Sequence, residues 1–203
     1  MSGAEEVLED GRERLPPGQF LTSRFPVLTY GSTPDVELKG WNFRVFGHGL
    51  SEGIVWSMED FLSLGDHETM RDFHCVTTWS RYDNTWKGVP IGAVWEKIAP
   101  HLSEEVGAVM LHCTCGYTTN LLIEDFLAAD NLFASHHDGA PLTADHGGPL
   151  RFVCHHLYAW KSAKWVNAVE LLSVDERGFW ERNGYHNRGD PWDEERYAYQ
   201  ETA

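Results

Sequence analysis

The sequence predicts a mixed α+β fold rather than a doubly wound parallel sheet. Segments with strand-like alternation outnumber the helical segments, and the two kinds do not alternate strictly along the chain. Of the 203 residues, 42% are hydrophobic and 13% are aromatic, which is enough apolar material for one sizeable core. We therefore expect a single domain with short extensions at its ends.

Five segments show the alternation of apolar and polar residues that is typical of strands. They span residues 41–46, 71–78, 106–113, 150–154 and 166–174. The predicted helices span residues 58–64, 91–99 and 123–129. Ser57 and Asp60 form the expected cap of the first helix, and Pro100 ends the second. The polar stretch between the second strand and Pro90 is predicted to be a loop.

Composition divides the chain into three parts. Residues 1–18 are acidic and polar and are predicted to form a flexible N-terminal arm. Residues 19–174 are expected to form the functional domain. Residues 175–203 are rich in Trp, Tyr, Arg and Asp, and a disordered segment would leave these rings in water. We therefore expect an aromatic C-terminal tail that packs on the domain.

The chain is strongly acidic, because 16 Lys and Arg against 31 Asp and Glu give a formal charge of −15. Such a surface repels phosphate backbones and anionic lipid, so we expect no nucleic-acid and no membrane partner. The first residues lack the basic start and apolar stretch of a secretory signal. We therefore expect a cytoplasmic protein whose four cysteines are free thiols or ligands.

Cys75 stands at the exit of a predicted strand, before a loop of polar and aromatic residues. This position can present a thiolate to a cleft. A buried cysteine that fills a strand position is the alternative, and it is the commoner case.

Cationic or cation-capable residues cluster between positions 146 and 164. They are His146, Arg151, Lys161 and Lys164. Local positive charge on an acidic chain indicates a site for an anionic ligand, since Arg offers a fork and Lys a point charge for phosphate. An ion-paired surface turn explains the cluster equally well.

A zinc site is a third reading of the cysteines, with Cys113, Cys115, Cys154 and His155 as its ligands. The spacing argues against it, because only one residue separates the first two cysteines. No nucleophile elbow, Walker loop or dinucleotide fingerprint is present.

Three motifs together resemble the molybdopterin-binding domain of the sulfite oxidase family, in its short single-domain form, from about Phe25 to Val174. The first is Phe73-His74-Cys75-Val76, followed by Trp79-Ser80 and Trp86-Lys87-Gly88-Val89. The second is Gly116-Tyr117-Thr118-Thr119-Asn120. The third is His146-Gly147-Gly148-Pro149-Leu150-Arg151, leading to Lys161-Ser162-Ala163-Lys164-Trp165-Val166. The resemblance implies a sulfite oxidase-type α+β fold with mixed sheets, short helices and a molybdopterin (Mo-molybdopterin) cofactor.

The resemblance also implies roles for single residues. Cys75 matches the thiolate ligand of molybdenum, and Tyr117 matches a tyrosine of the substrate pocket. Arg81 is the nearest cation after the ligand strand, where it can hold an oxyanion or be an exposed loop charge. The positions that match cofactor-binding residues are Tyr30, Cys113, His146, Arg151, Ser162, Ala163 and Lys164.

The resemblance implies an oxidoreductase that transfers an oxygen atom at a molybdenum centre. Sulfite and a small sulfoxide or N-oxide are the candidate substrates, and an electron-donor or electron-acceptor protein is the expected partner. Sulfite oxidases have a further domain that adds an arginine to the sulfite site, and we expect this chain to lack it. Trp79, Trp86, Tyr117 and Trp160 are predicted pocket walls, which favour a neutral substrate. A non-catalytic cofactor carrier and a zinc-stapled structural protein are the alternatives.

Overall fold

The computed structural model describes residues 7–8 and 11–201. The strands of this part of the chain are β1 Phe20–Leu21, β2 Asn42–Gly47, β3 Ile54–Ser57, β4 His67–His74, β5 Trp79–Pro90, β6 Ala108–Cys113, β7 Thr118–Leu122, β8 Leu132–His137, β9 Ala140–Pro141, β10 Arg151–Val153 and β11 Val166–Leu172. The α-helices are α1 Met58–Leu62, α2 Ile91–Ile98, α3 Ile123–Phe126 and α4 Phe179–Arg182.

The strands form two mixed sheets. One sheet has the order β3-β2-β11-β6-β7, in which β11 runs parallel to β2 and antiparallel to β6. The other follows the path β1-β5-β8-β10, with β4 paired to β5 and β9 paired to β8. Two mixed sheets with few, short helices confirm the α+β prediction.

The predicted strands and helices are all present, with shifted ends. Ser57 caps α1 as predicted, since its Oγ accepts a hydrogen bond from the amide of Asp60 at 3.1 Å. The predicted loop before Pro90 is wrong, because these residues form the twelve-residue strand β5. Its polar side chains are satisfied by neighbours: Asn84 is fully buried and donates to the carbonyl of Arg81 at 2.8 Å.

Apolar side chains gather in two core clusters. The larger cluster includes Phe43 and Phe61, whose rings stack with centroids 4.2 Å apart. The smaller cluster contains Phe73, Trp86 and Cys75, at the end of the β4–β5 hairpin. The strand end that carries Cys75 is therefore fixed by core packing.

Both ends of the chain lie against the domain where they are described. Arg14 pairs with Asp72 at 2.5 Å. At the other end, Glu181 of α4 forms a fully buried ion pair with Lys161 at 2.7 Å. The flexible arm stays a prediction for residues 1–6, 9 and 10, which lie outside the described residues. Within the described ranges, no helix is long and apolar enough to cross a membrane.

Candidate active site

A cavity of about 290 Å³ opens beside the exit of β4, and segments from distant parts of the chain line it. Eight of the predicted site residues border it: Tyr30, Cys75, Tyr117, His146, Arg151, Ser162, Ala163 and Lys164. Arg151 and Lys164 are its basic side chains besides His146, and none of the described lining residues is an Asp or Glu. The cavity is therefore suited to an anion.

Cys75 follows β4 directly and begins the tight turn into β5. Its amide donates to the carbonyl of Trp79 at 2.9 Å, and its carbonyl accepts from the amide of Thr78 at 2.9 Å. The residue is only 7% exposed, and burial raises the pKa of its thiol. Cys75 is thus both a core residue and a cavity-lining thiol, and a bound metal cation would favour its thiolate form.

Arg151, the first residue of β10, is a buried cation, and no described side chain is its counterion. Its guanidinium lies 4.9 Å from the ring centroid of Phe73, and its hydrogen bond to the carbonyl of His146 is long, at 3.3 Å. Its Nε is buried and has no hydrogen-bond partner in the described part of the chain, and burial lowers the pKa of the group to about 10. Because an unpaired buried charge is costly, an anionic ligand would stabilise this site. This orphaned donor fits a phosphate-bearing cofactor.

Lys164 and His146 flank Arg151 on the cavity wall. Lys164 donates to the carbonyl of Asp145 at 2.9 Å, and burial followed by the charge of Arg151 lowers its pKa to about 8. The same two causes lower the pKa of His146, so its ring is neutral near pH 7. His146 therefore stacks on Phe25 as an uncharged ring, with centroids 4.7 Å apart.

The segment from Lys161 to Lys164 is divided between structural and cavity roles. Ser162 accepts from the amide of Cys154 at 3.0 Å and donates to its carbonyl at 3.2 Å, so its hydroxyl is already engaged. Lys161 lies outside the cavity, where it pairs with Glu181. The predicted place of Lys161 in the anion-binding cluster is therefore corrected, because Glu181 neutralises its charge inside the fold.

Two predicted site residues do not reach the cavity. Arg81 pairs with Asp138 at 2.5 Å and is held away from it. Cys113 ends β6 in the larger core cluster, and Cys115, in the turn that follows, lines the cavity instead. The predicted wall residue Trp86 is fully buried in the core. Tyr117 does line the cavity, but its hydroxyl donates to the carbonyl of Trp160 at 2.7 Å.

Sequence reasoning did not predict several aromatic wall residues, among them Phe25, Trp180 and Tyr185. The rings of Tyr185 and Trp180 stack with centroids 5.1 Å apart. Among the described residues, the hydroxyl of Tyr185 has no hydrogen-bond partner. The aromatic composition of the tail signalled that its rings pack on the domain, but no motif marked these positions as a cavity wall.

The zinc reading finds no support in the geometry. Within the described residues, no group of three or more His, Cys, Asp or Glu side chains could hold a metal ion. Of the four residues suggested as zinc ligands, Cys113 lies in the core. The Sγ of Cys154 lies 3.6 Å from Nδ1 of His156, which is not one of the four.

Several known proteins are similar to this chain in sequence. An uncharacterized oxidoreductase, YuiH of Bacillus subtilis (strain 168), is 46% identical over 94% of this chain and 95% of its own length. A putative protein-methionine-sulfoxide reductase subunit, YedZ1 of Azospira oryzae, is 24% identical over 84% of this chain. The catalytic subunit MsrP of a protein-methionine-sulfoxide reductase from Xanthomonas axonopodis pv. citri is 26% identical over 70% of this chain. The chain spans 64% of YedZ1 and 47% of MsrP.

The fold also matches a solved structure, the sulfane dehydrogenase SoxCD from Paracoccus pantotrophus. The TM-score is 0.62 with 15% identity, over 79% of this chain and 46% of that one, so the likeness concerns the fold alone. Residues 30–180 match the family described as the oxidoreductase molybdopterin binding domain. The chain therefore belongs to this family of molybdopterin-binding oxidoreductases, and molybdopterin is its cofactor.

Proposed function

We propose that this protein transfers an oxygen atom between a molybdenum centre held by Cys75 and a small neutral sulfoxide or N-oxide. The observation that carries the proposal is the cavity itself. It combines a thiol fixed at a strand exit, an aromatic wall and a buried arginine that no carboxylate pairs with over the described ranges.

The residues on one side of the cavity would hold the cofactor. Arg151 and Lys164 would bind its phosphate, and the backbone from Ser162 to Lys164 would border the pterin. Cys75 would lose its thiol proton and bind the metal, since a soft thiolate suits a metal already bound by sulfur. Bound there, the cofactor supplies two-electron redox chemistry and oxygen-atom exchange.

The aromatic side of the cavity would select the substrate. Trp160, Trp180 and Tyr185 offer an apolar surface, and the hydroxyl of Tyr185, which no described residue engages, can donate to a sulfoxide or N-oxide oxygen. Arg81 is engaged with Asp138, and cofactor binding would engage Arg151. A small dianion such as sulfite would then lack a free cation, which favours a neutral substrate. Two relatives named as protein-methionine-sulfoxide reductase subunits support the sulfoxide class.

Turnover by purified, molybdenum-loaded protein tests the proposal. With reduced viologen as electron donor, sulfoxide plus two electrons and two protons should give sulfide and water. Sulfite oxidation, with ferricyanide as acceptor, is expected to be slower. Faster turnover of sulfite would contradict the substrate class, and loaded protein without turnover of any substrate would indicate a cofactor carrier.

We further propose a cytoplasmic location and a redox protein as electron partner. Four unpaired cysteines are typical of a compartment that keeps thiols reduced. Fractionation of cells that produce the protein tests the location, and recovery outside the cytoplasm would contradict it.

A further inference from the structure

The turn that presents Cys75 accepts hydrogen bonds from residues near both ends of the chain. The side chain of Gln19 donates to the carbonyl of Cys75 at 3.1 Å, and the amide of Phe20 donates to the carbonyl of Thr78 at 2.8 Å. Arg196 donates from Nη1 to the carbonyl of Val76 at 2.8 Å. Donors from outside the turn therefore bond three of its carbonyls, those of Cys75, Val76 and Thr78.

Arg196 is itself held in place. Its side chain is only 11% exposed, and its Nη2 donates to the carbonyl of Pro17 at 3.2 Å. Its guanidinium lies 5.1 Å from the ring centroid of Tyr158. A planar guanidinium with several donors suits this bridging of two backbone segments, whereas an ammonium group lacks the fork.

The turn needs such external support because its own backbone is strained. Thr78 has a φ of +76°, which is unfavourable for a β-branched residue. Within the described residues, Arg196 is the donor that bonds the carbonyl of Val76. Removing Arg196 would leave this carbonyl, next to Cys75, without that bond.

We infer that Arg196 is a positioning residue for Cys75, fixing the turn so that the thiol faces the cofactor cavity. The inference rests on the proposed role of Cys75 as metal ligand. Arg196 lies beyond residues 30–180, the part of the chain that matches the family, so the C-terminal segment completes the site.

Hydrogen–deuterium exchange of the cofactor-free protein tests the inference without activity. In Arg196→Ala, the amides of Cys75 and Thr78 should exchange about 10-fold faster, because the turn opens more often. Arg196→Lys should give an intermediate rate, and it remains informative if the alanine variant does not fold. Arg188→Ala is the matched control, since Arg188 anchors the same segment to Asp125 without touching the turn.

The electron paramagnetic resonance signal of the partly reduced metal provides a second readout. Arg196→Ala should shift or broaden this signal at equal molybdenum content, whereas Arg188→Ala should leave it unchanged. Unchanged exchange in Arg196→Ala, or equal loss of protection in Arg188→Ala, would overturn the role of Arg196. Wild-type protein that lacks molybdenum would instead contradict the proposed function.

Discussion

Single side chains divide the cavity into a cationic part and an aromatic part. Arg151 and Lys164 supply the charge, and neither has a carboxylate partner within the described residues. Trp160, Trp180 and Tyr185 supply the rings. In the proposed function the cofactor binds on the cationic side and the substrate on the aromatic side, and a single substitution tests each of these two proposals.

Arg151→Ala should lower the molybdopterin content of the purified protein. A charge-assisted hydrogen bond to phosphate contributes about 1.5–3 kcal/mol, so cofactor affinity should fall about 10- to 150-fold. Arg151→Lys keeps the charge without the fork and should retain an intermediate content. Pterin measured per chain reports the result, and equal content in wild type and Arg151→Ala would contradict the phosphate assignment.

Tyr185→Phe should slow sulfoxide turnover about 2- to 10-fold, the value of one neutral hydrogen bond to the substrate oxygen. Tyr117→Phe is the matched control, because the hydroxyl of Tyr117 bonds the backbone of Trp160. Tyr117→Phe should lower the thermal stability, and it should reduce turnover less than Tyr185→Phe does. Steady-state kinetics at equal molybdenum content compare the two variants, and a larger turnover loss in Tyr117→Phe would reverse their roles.

At the level of elements, the turn before β10 shapes the cationic wall. Gly147 has a φ of +106°, and a Cβ placed there would lie 3.0 Å from the Cβ of Lys164. The glycine thus serves close packing within the protein, and it sets the position of Lys164 on the cavity wall.

Gly147→Ala should lower both stability and cofactor content. The left-handed backbone costs about 1–2 kcal/mol for alanine, and the new methyl group displaces Lys164. Gly139→Ala is the control, because Gly139 has a φ of +77° but open space around its Cβ position. Chemical unfolding should show a stability loss in both variants, whereas pterin analysis should show cofactor loss only in Gly147→Ala. An equal cofactor loss in the two would contradict the role of this turn.

The sequence predicted elements well where local patterning decides them. The Ser57 cap and the strand ending near Cys75 follow from capping and alternation. β5 was not predicted because its polar residues resemble a loop, and several of them are satisfied by partners far along the chain, such as Arg81 by Asp138. The resemblance named eight residues that the structure brings to the cavity, but it could not show that the hydroxyl of Tyr117 is engaged or that Tyr185 lines the cavity.

At the level of the whole molecule, the acidic charge describes the surface and not the cavity. The chain carries −15 overall, yet the cavity presents Arg151 and Lys164. A second charged cluster holds the C-terminal segment: Arg188 pairs with Asp125 at 3.0 Å, and Asp125 bonds His156 at 3.1 Å. The segment that carries Tyr185 and Arg196 is therefore secured by an ion-pair cluster outside the cavity.

This cluster predicts a pH window of stability. Hydrogen bonds from His156 and Arg188 outweigh burial and lower the pKa of Asp125 from 3.8 to about 2, so its contribution is lost as pH falls from about 4 to 2. Although burial lowers the pKa of His156, Cys154 and Asp125 raise it from 6.5 to about 10, so its contribution is lost as pH rises through that range.

The difference in unfolding free energy between wild type and Asp125→Asn should therefore be largest between about pH 4 and 6.5. The lowered pKa of Asp125 contributes about 2 kcal/mol there. Urea unfolding across pH measures this difference, and subtraction removes the carboxylates common to both proteins. A difference that does not change from pH 3 to pH 9 would contradict the coupling.

The proposed function requires Cys75 to be the one protein ligand of molybdenum in this cavity. X-ray absorption at the molybdenum edge of the loaded protein counts the sulfur ligands directly, and Cys115→Ser is the matched control because both thiols line the cavity. The wild type and Cys115→Ser should show three sulfur ligands, two from the pterin dithiolene and one from Cys75. Cys75→Ser should retain the fold and much of the pterin, show two sulfur ligands and lose activity. Three sulfur ligands or full turnover in Cys75→Ser would contradict the claim.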